Sequence, residues 1–302
     1  MKTNSGTIIR SIRKETGLSR EDMAEQLFIS TRTLARIESG EAGMDVWQFI
    51  TSMELLGSPS EDFWLLYLDS GEYANYRDYK RLKRQLANGD WSEVRSIIAE
   101  LEKSLLFKQP LVKQFVAYVK TAMQMDVPPA ENMAAFLDVM RMSKPNFDMN
   151  KIAEYRMTYN EINIAVGIAE CLAALGEPDR AVAMLQDMIE GRDKNRVSEE
   201  DKAMLLPFLH FVLCGLLRNS GRHKEALRAC NNAVDACREH NNLMRIPEML
   251  VCMEECYHKL GEEEHIYKTH LVRAYHAAYA IGRNDFAVVI KEIALKNYGI
   301  DI

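Results

Sequence analysis

Two stretches of this 302-residue chain carry side chains whose types and spacing suit molecular recognition. In STRTLARIESG, Leu34 and Ile37 recur at helical spacing, which leaves Thr31, Arg32, Thr33 and Arg36 on faces that packing does not need. Arginine offers paired donors that match phosphate oxygens or the edge of guanine, and threonine offers a hydroxyl beside a methyl group. In EYRMTYNEINIAVG, Arg156, Tyr159 and Asn163 follow one another at spacings of three and four, a single helical stripe with Asn160 beside it. An asparagine amide can bond both the N–H and the C=O of an extended peptide, and a neighbouring arginine can hold a carboxylate. The plain alternative for both stretches is a solvated helix face.

A third group is weaker. CMEECYH sets Cys252 and Cys256 four apart with His258 following, but a zinc site needs four ligands and usually shows a second pair. All six cysteines (Cys171, Cys214, Cys230, Cys237, Cys252 and Cys256) lie in the C-terminal half inside apolar helical patterns without CxxC spacing. They read as reduced core residues, and neither a metal nor a cofactor is expected. With no Gly-rich phosphate loop, no GxSxG, no HExxH and scattered histidines, the chain does not read as an enzyme.

A net charge of −6 argues against a surface that binds nucleic acid everywhere. Residues 1–40 nevertheless hold seven basic groups against five acidic ones, so any contact with a polyanion should begin there. No apolar run approaches the roughly 18 residues of a membrane span, and MKTNSGTIIRSIRKE lacks a secretory signal, which places the chain in the cytoplasm and away from membranes.

The elements that must position the first stretch are short helices. IIRSIRKETG predicts a helix with Ile8, Ile9 and Ile12 on one side, Arg10, Arg13 and Lys14 on the other, and Gly17 as its stop. SRED, with a hydroxyl followed three residues on by an acid, opens a second helix over about 20–27 that buries Met23, Ala24 and Leu27. FIS turns the chain, Ser30 caps a third helix, and Ser39-Gly40 ends it. Small Ala24 lets two short helices cross closely. DVWQFITSMELLG supplies a fourth helix, with Trp47, Phe49, Ile50, Met53 and Leu56 closing the core, and EDFWLLYL a fifth. This domain should finish near residue 70.

In its order of parts, LSREDMAEQLFISTRTLARIESG resembles the Xre/Cro helix-turn-helix family: a Leu-Ser start, an Ala-Glu-x-Leu helix, a Ser-capped recognition helix and an Ile-Glu-x-Gly close. The resemblance implies that Thr31, Arg32, Thr33 and Arg36 face base edges or nearby phosphates of duplex DNA, and that Arg10, Lys14 and Arg20 grip its backbone. Arg20 stands where many members have a phosphate-touching Gln, and Phe28 where Gly is usual. Phe28 is expected to tilt the turn or pack on the fourth helix.

From about residue 73 the chain is a succession of amphipathic helices. Polar breaks recur at LANGDWSEV, MQMDVPPAENMAAF, ALGEPDRAVAML, NSGRHKEAL and KLGEEEHIY, with Gly176, Gly221 and Gly261 spaced 45 and 40 apart. A helix, a tight Gly turn and a second helix opening on a small residue make a hairpin repeat that resembles the tetratricopeptide repeat, with a longer and degenerate unit. Five hairpins and a terminal helix over about 284–298 are expected. In such arrays the first helix of each pair lines the concave side, which here selects Lys120, Asn163, Val166, Glu170, Phe208, Phe211, Arg218, Glu248, Val251, Glu255 and His258. The basic stretch YRDYKRLKRQL at the junction reads as a solvated helix face or, alternatively, as a helix that transmits peptide binding to the first unit or touches flanking phosphate.

The expected fold is therefore all-α: residues 1–70 a five-helix Xre-type domain, and residues 73–302 a right-handed superhelix of tetratricopeptide-like hairpins. That combination resembles the peptide-pheromone regulators of Gram-positive bacteria, the RRNPP group of Rgg, PlcR and PrgX. The resemblance implies a homodimeric transcription regulator, paired through its repeats, that binds an operator in double-stranded DNA and a short signalling peptide in the concave groove. Inner-helix asparagines hold the peptide in that group, which makes Asn160 and Asn163 the first candidates, with Arg156, Tyr159, Glu170, Phe208, Phe211, Glu248 and Glu255 around them. An Xre-type repressor whose repeats bind a protein partner has the same sequence features.

Overall fold

The computed structural model describes residues 5–44, 73–87, 93–108, 110–124, 126–191 and 199–302, with residues 48, 49, 52, 55, 56, 91, 195 and 197 among the intervening segments. Every regular element among them is helical, and the chain divides into two compact units. One comprises Met1–Gln85 with Trp91–Val112, the other Leu86–Asp90 with Lys113–Ile302.

The first unit opens with α1 (Ser5–Thr16), α2 (Arg20–Gln26) and α3 (Thr31–Ser39). The apolar residues of the three helices meet in one cluster, in which Ile8, Ile9, Ile12, Met23, Ala24, Leu27 and Leu34 are joined by Phe49 and Leu56. Ser19 and Ser30 act as N-caps, accepting the backbone N–H groups of Asp22 and Thr33 at 3.0 Å each. The tightest approach falls at Gly6, where a Cβ would lie 1.8 Å from the Ile37 carbonyl oxygen, so α1 and α3 can touch only because that position has no side chain. Trp47, Ile50 and Met53, the expected fifth helix at 61–68 and the expected boundary near residue 70 lie outside the described residues. The unit continues through α4 (Tyr73–Ala87) and α5 (Val94–Lys103), joined by an Arg81–Glu93 ion pair at 2.6 Å. The junction helix is not wholly solvated: Tyr79, Leu82 and Lys83 are buried.

The second unit is a chain of antiparallel helices: α6 (Pro110–Ala122), α7 (Pro129–Arg141), α8 (Tyr159–Ala174), α9 (Pro178–Glu190), α10 (Glu199–Asn219), α11 (His223–Glu239), α12 (Ile246–Lys259), α13 (Glu264–Ala280) and α14 (Asn284–Tyr298). The start of α6 clusters with the first unit. Each helix packs mainly on its chain neighbours, the signature of a stacked repeat. Four helical pairs, from α6–α7 to α12–α13, and the terminal helix α14 make up this unit, whereas the first of the five expected pairs, α4–α5, clusters mainly with the first unit. Small residues make the contacts close: α11 buries Ala226, Ala229, Cys230, Ala233, Ala236 and Cys237, and α13 meets α14 through Ala274, Ala278, Ala287 and Ala294. No described helix is long and apolar enough to cross a membrane.

One turn geometry recurs. At Gly176, Gly221, Gly261 and Gly282 the backbone enters the left-handed region and returns two N–H groups to the carbonyls of the last helical turn. At the 221 turn the Gly221 N–H donates to Arg218 O at 3.0 Å and the Arg222 N–H to Leu217 O at 2.9 Å. Asn241, with φ 52°, makes the same closure between α11 and α12. Replacing Gly221 by Ala should cost about 1–2 kcal/mol in chemical denaturation, because L residues disfavour that region. Gly215 sits inside α10 with open space around its Cβ position, so Gly215→Ala should instead stabilise by about 1 kcal/mol through helix propensity.

Candidate nucleic-acid and peptide interfaces

What orients α3 is a buried carboxylate. Glu38, 1% exposed, accepts the Arg13 Nε at 2.6 Å and Nη2 at 3.2 Å from α1, and the Arg20 Nε at 3.0 Å and Nη2 at 2.9 Å from α2. Arg13 also donates Nη1 to Leu18 O at 2.8 Å. Three helices are thus tied at one point. Burial pushes the Glu38 carboxyl up, but the two arginines more than offset it and hold it below its usual value of 4.5.

With Leu34 and Ile37 turned inward, Thr31, Arg32, Thr33 and Arg36 are all exposed. The Thr33 hydroxyl lies 2.8 Å from that of Ser30, and Arg36 sits 3.9 Å from Glu41. Arg10 and Lys14 are exposed on α1. Arg20 differs from the expectation: its guanidinium is committed to Glu38 and only partly exposed, so its first task is to position α3. Phe28 also differs. Its side chain is 96% exposed, too open to be packed on the fourth helix, and its φ of 54° occupies the left-handed position that glycine fills elsewhere in the chain. Its N–H donates to Glu25 O and that of Ile29 to Ala24 O, each at 3.0 Å, which closes α2 as the repeat helices are closed. Arg13 and Glu38, not singled out from sequence as a pair, are recognisable only once helices one and three are side by side.

In the second unit the expected stripe on α8 is mostly inside the protein. Thr158 and Glu161 form a reciprocal capping box, so the helix begins at Tyr159. Arg156 precedes it, exposed and off the stripe, with its carbonyl accepting from Lys144 at 3.2 Å. Tyr159, Asn160 and Asn163 are buried to 6%, 4% and 6% exposure, and the Asn163 amide donates to Tyr159 O at 2.8 Å. The Tyr159 ring stands 6.4 Å from that of Phe115. Burial of its surroundings pushes the Glu170 carboxyl upward although the side chain itself is exposed. Burial and the Glu170 charge together raise the neighbouring Tyr118 hydroxyl.

Phe208 and Phe211 of α10 flank the guanidinium of Arg245, at 5.5 and 5.1 Å from the ring centroids. Arg245 in turn lies 3.6 Å from Glu248, which is also bonded to Arg283. The Glu248 Oε2 atom is buried without a hydrogen-bond partner. Glu255 of α12 pairs with Arg218 of α10 at 3.1 Å. Between α8, α9 and α10 a small apolar hollow is lined by Ile162, Met188, Leu205, Leu206 and Leu209. His258 stacks with Tyr267 and Tyr298 at 5.0 and 5.5 Å.

A capped, clamped three-helix unit ahead of stacked helical pairs defines a helix-turn-helix protein with a helical-repeat array. Residues 9–43 match the helix-turn-helix family HTH_3. No curated protein matches the chain. Its fold is shared with PlcR of Bacillus thuringiensis, crystallised in complex with the peptide PapR7 and DNA, at a TM-score of 0.69 and 17% identity over 95% of this chain and 98% of that one. ComR of S. thermophilus, in complex with DNA and its signalling peptide ComS, is similar at 0.59 and 14%, over 98% of this chain and 100% of that one. A single-substitution variant of the Streptococcus dysgalactiae SHP pheromone receptor Rgg2 is similar at 0.53 and 12%, over 96% and 98%.

Glu38→Ala should destabilise the first unit by about 3–5 kcal/mol, since it strands two arginines that one buried carboxylate had neutralised. The folded-state value of Glu38 is depressed, so its contribution is present above pH 4.5 and is lost as pH falls through the lower folded value; thermal melts at pH 7 and at progressively lower pH measure it. Phe28→Gly should stabilise the same unit by about 1 kcal/mol by relieving the left-handed residue.

Proposed function

We propose that this protein is a sequence-specific DNA-binding transcription regulator whose operator affinity is set by a short signalling peptide held in its repeat unit. The observation that carries the reading is the pairing of two features: α3 presents Thr31, Arg32, Thr33 and Arg36 outward from a charge-clamped base, and nearly the whole chain shares its fold with receptors crystallised on DNA with their peptides. A docked helix with exposed polar residues in its first turns is the shape that enters a major groove. Arg32 and Arg36 supply donors for base edges or phosphates, and Arg10 and Lys14 supply backbone charge. The acidic remainder of the chain confines DNA to this unit.

On the repeat unit the peptide is read by the exposed Glu170, the Phe208 and Phe211 rings, and Glu248, whose Oε2 atom is an acceptor in want of a donor. The buried amides of Asn160 and Asn163 can contribute only through the small part of each that remains accessible. The protein acts in the cytoplasm as a homodimer paired through its repeats, and two copies present their recognition helices about 34 Å apart on DNA. No step of this function requires turnover.

Footprinting on chromosomal fragments together with calorimetry against short hydrophobic peptides tests both halves. Arg32→Ala should lower operator affinity by about 1–3 kcal/mol and leave peptide binding as in the wild type. Phe211→Ala should weaken peptide binding and leave basal operator affinity unchanged. Equal loss of both functions in both variants overturns the division, and capture of a folded protein partner with no peptide response replaces the ligand class.

A further inference from the structure

Cys214 of α10, Cys230 of α11 and Cys252 of α12 are distant in sequence, yet their three sulfur atoms lie within 4.8 Å of one another and all three residues are buried. Two of them, Cys214 and Cys252, have Sγ atoms 2.7 Å apart. That is longer than the ~2.05 Å of a disulfide and shorter than the roughly 3.8 Å between two thiolates bound at ~2.3 Å to one tetrahedral ion. A small rotation of the side chains makes room for such an ion.

Smallness alone does not call for sulfur here. On the buried face of α11 the chain already uses Ala226, Ala229, Ala233 and Ala236, so Cys230 could have been a fifth alanine. Cys171 and Cys237, also buried, join no such cluster among the described residues. Cys256, one helical turn beyond Cys252, is buried but lies outside the cluster of three. From sequence, Cys252, Cys256 and His258 are the only grouping near metal-ligand spacing and read as core; His258 turns to Tyr267 and Tyr298, and the other two cysteines of the cluster come from two other helices.

We propose that Cys214, Cys230 and Cys252 form a thiolate site for a thiophilic closed-shell ion, Cu(I) or Zn(II), built across two consecutive helical pairs. Soft thiolates select these ions over oxygen-loving ones. Each ligating thiol releases its proton to solvent as its sulfur bonds the metal, and no electron is transferred. Cu(I) is satisfied by the three sulfurs; Zn(II) needs a fourth donor, and Cys256, outside the cluster, would have to move toward the three to supply it. The ion would tie α10, α11 and α12 together. This inference does not depend on the proposed function.

The test uses the full chain, reduced and stripped of metal, titrated anaerobically with Zn(II) or Cu(I) against chromophoric competitors, and with Co(II) for its sulfur charge-transfer absorption. The expected result is one tightly held equivalent of one of the two ions, with Cys214→Ser, Cys230→Ser and Cys252→Ser each weakening it by more than about tenfold and Cys171→Ser leaving it intact. Loss in Cys256→Ser identifies Zn(II), and indifference to it Cu(I). A folded wild-type chain that takes up neither ion overturns the proposal, as does equal retention in Cys230→Ser and Cys171→Ser; the wild-type stoichiometry decides even where a variant fails to fold.

Discussion

The structure depends on stopping helices sharply. Short helices can fold back on their neighbours only if the chain reverses within a few residues, and here it does so by one backbone device: a residue in the left-handed region whose N–H, with that of its successor, satisfies carbonyls the helix would otherwise leave bare. The device closes α1 at Gly17, α2 at Phe28 and α3 at Gly40, and in the second unit it closes α8, α10, α11, α12 and α13, whereas α7 and α9 end without it. Because it fixes the exit direction, it sets where the next helix begins. It also explains why two such different architectures, a crossed three-helix unit and a stacked array, are written in one chain with the same punctuation.

Direction alone does not hold the helices together, and the two units solve that differently. In the first, a buried carboxylate of α3 shared by two arginines adds a specific tie to the apolar core. Removing either kind of partner exposes the desolvation cost that the cluster hides. In the second, long seams of alanine and cysteine let helix axes approach, and area replaces charge as the means of cohesion. Two of its polar pairs, Arg218 with Glu255 and Arg222 with Asp179, sit at the margins and join one helical pair to the next.

Much of this was legible in the sequence because it is local. Hydrophobic periodicity located the helices, Ser19 and Ser30 announced their caps, and glycine announced three of the repeat turns. What escaped was of two kinds. Asn241 and Phe28 do a glycine's work without being glycine, so the turns they make are invisible to a search for Gly. The Thr158-x-x-Glu161 capping box was in plain sight and places Arg156 before the helix, but a stripe counted from Arg156 overrode it. The other misses are long-range: nothing in the sequence says that Arg20 faces Glu38 rather than phosphate, that Asn163 spends an amide hydrogen on its own helix, or that three cysteines from three helices converge. Side chains reveal their type in a sequence, while their partners are chosen by the fold.

The contrast between the two surfaces bears on how they could communicate under the proposed function. The side chains on α3 are exposed and clamped from behind, so DNA meets groups already oriented and little has to rearrange. The polar groups of the repeat unit are mostly engaged with one another: Arg245 between two rings, Glu248 on Arg283, Arg218 on Glu255. A peptide arriving there must exchange with those contacts, and several of them join different helical pairs. Exchanging them changes the relative stability of alternative packings of the array, which is the differential interaction a ligand needs to shift a conformational equilibrium. A surface of free, solvated side chains would bind a peptide with less internal competition, but it would give the ligand no grip on how the helices stack.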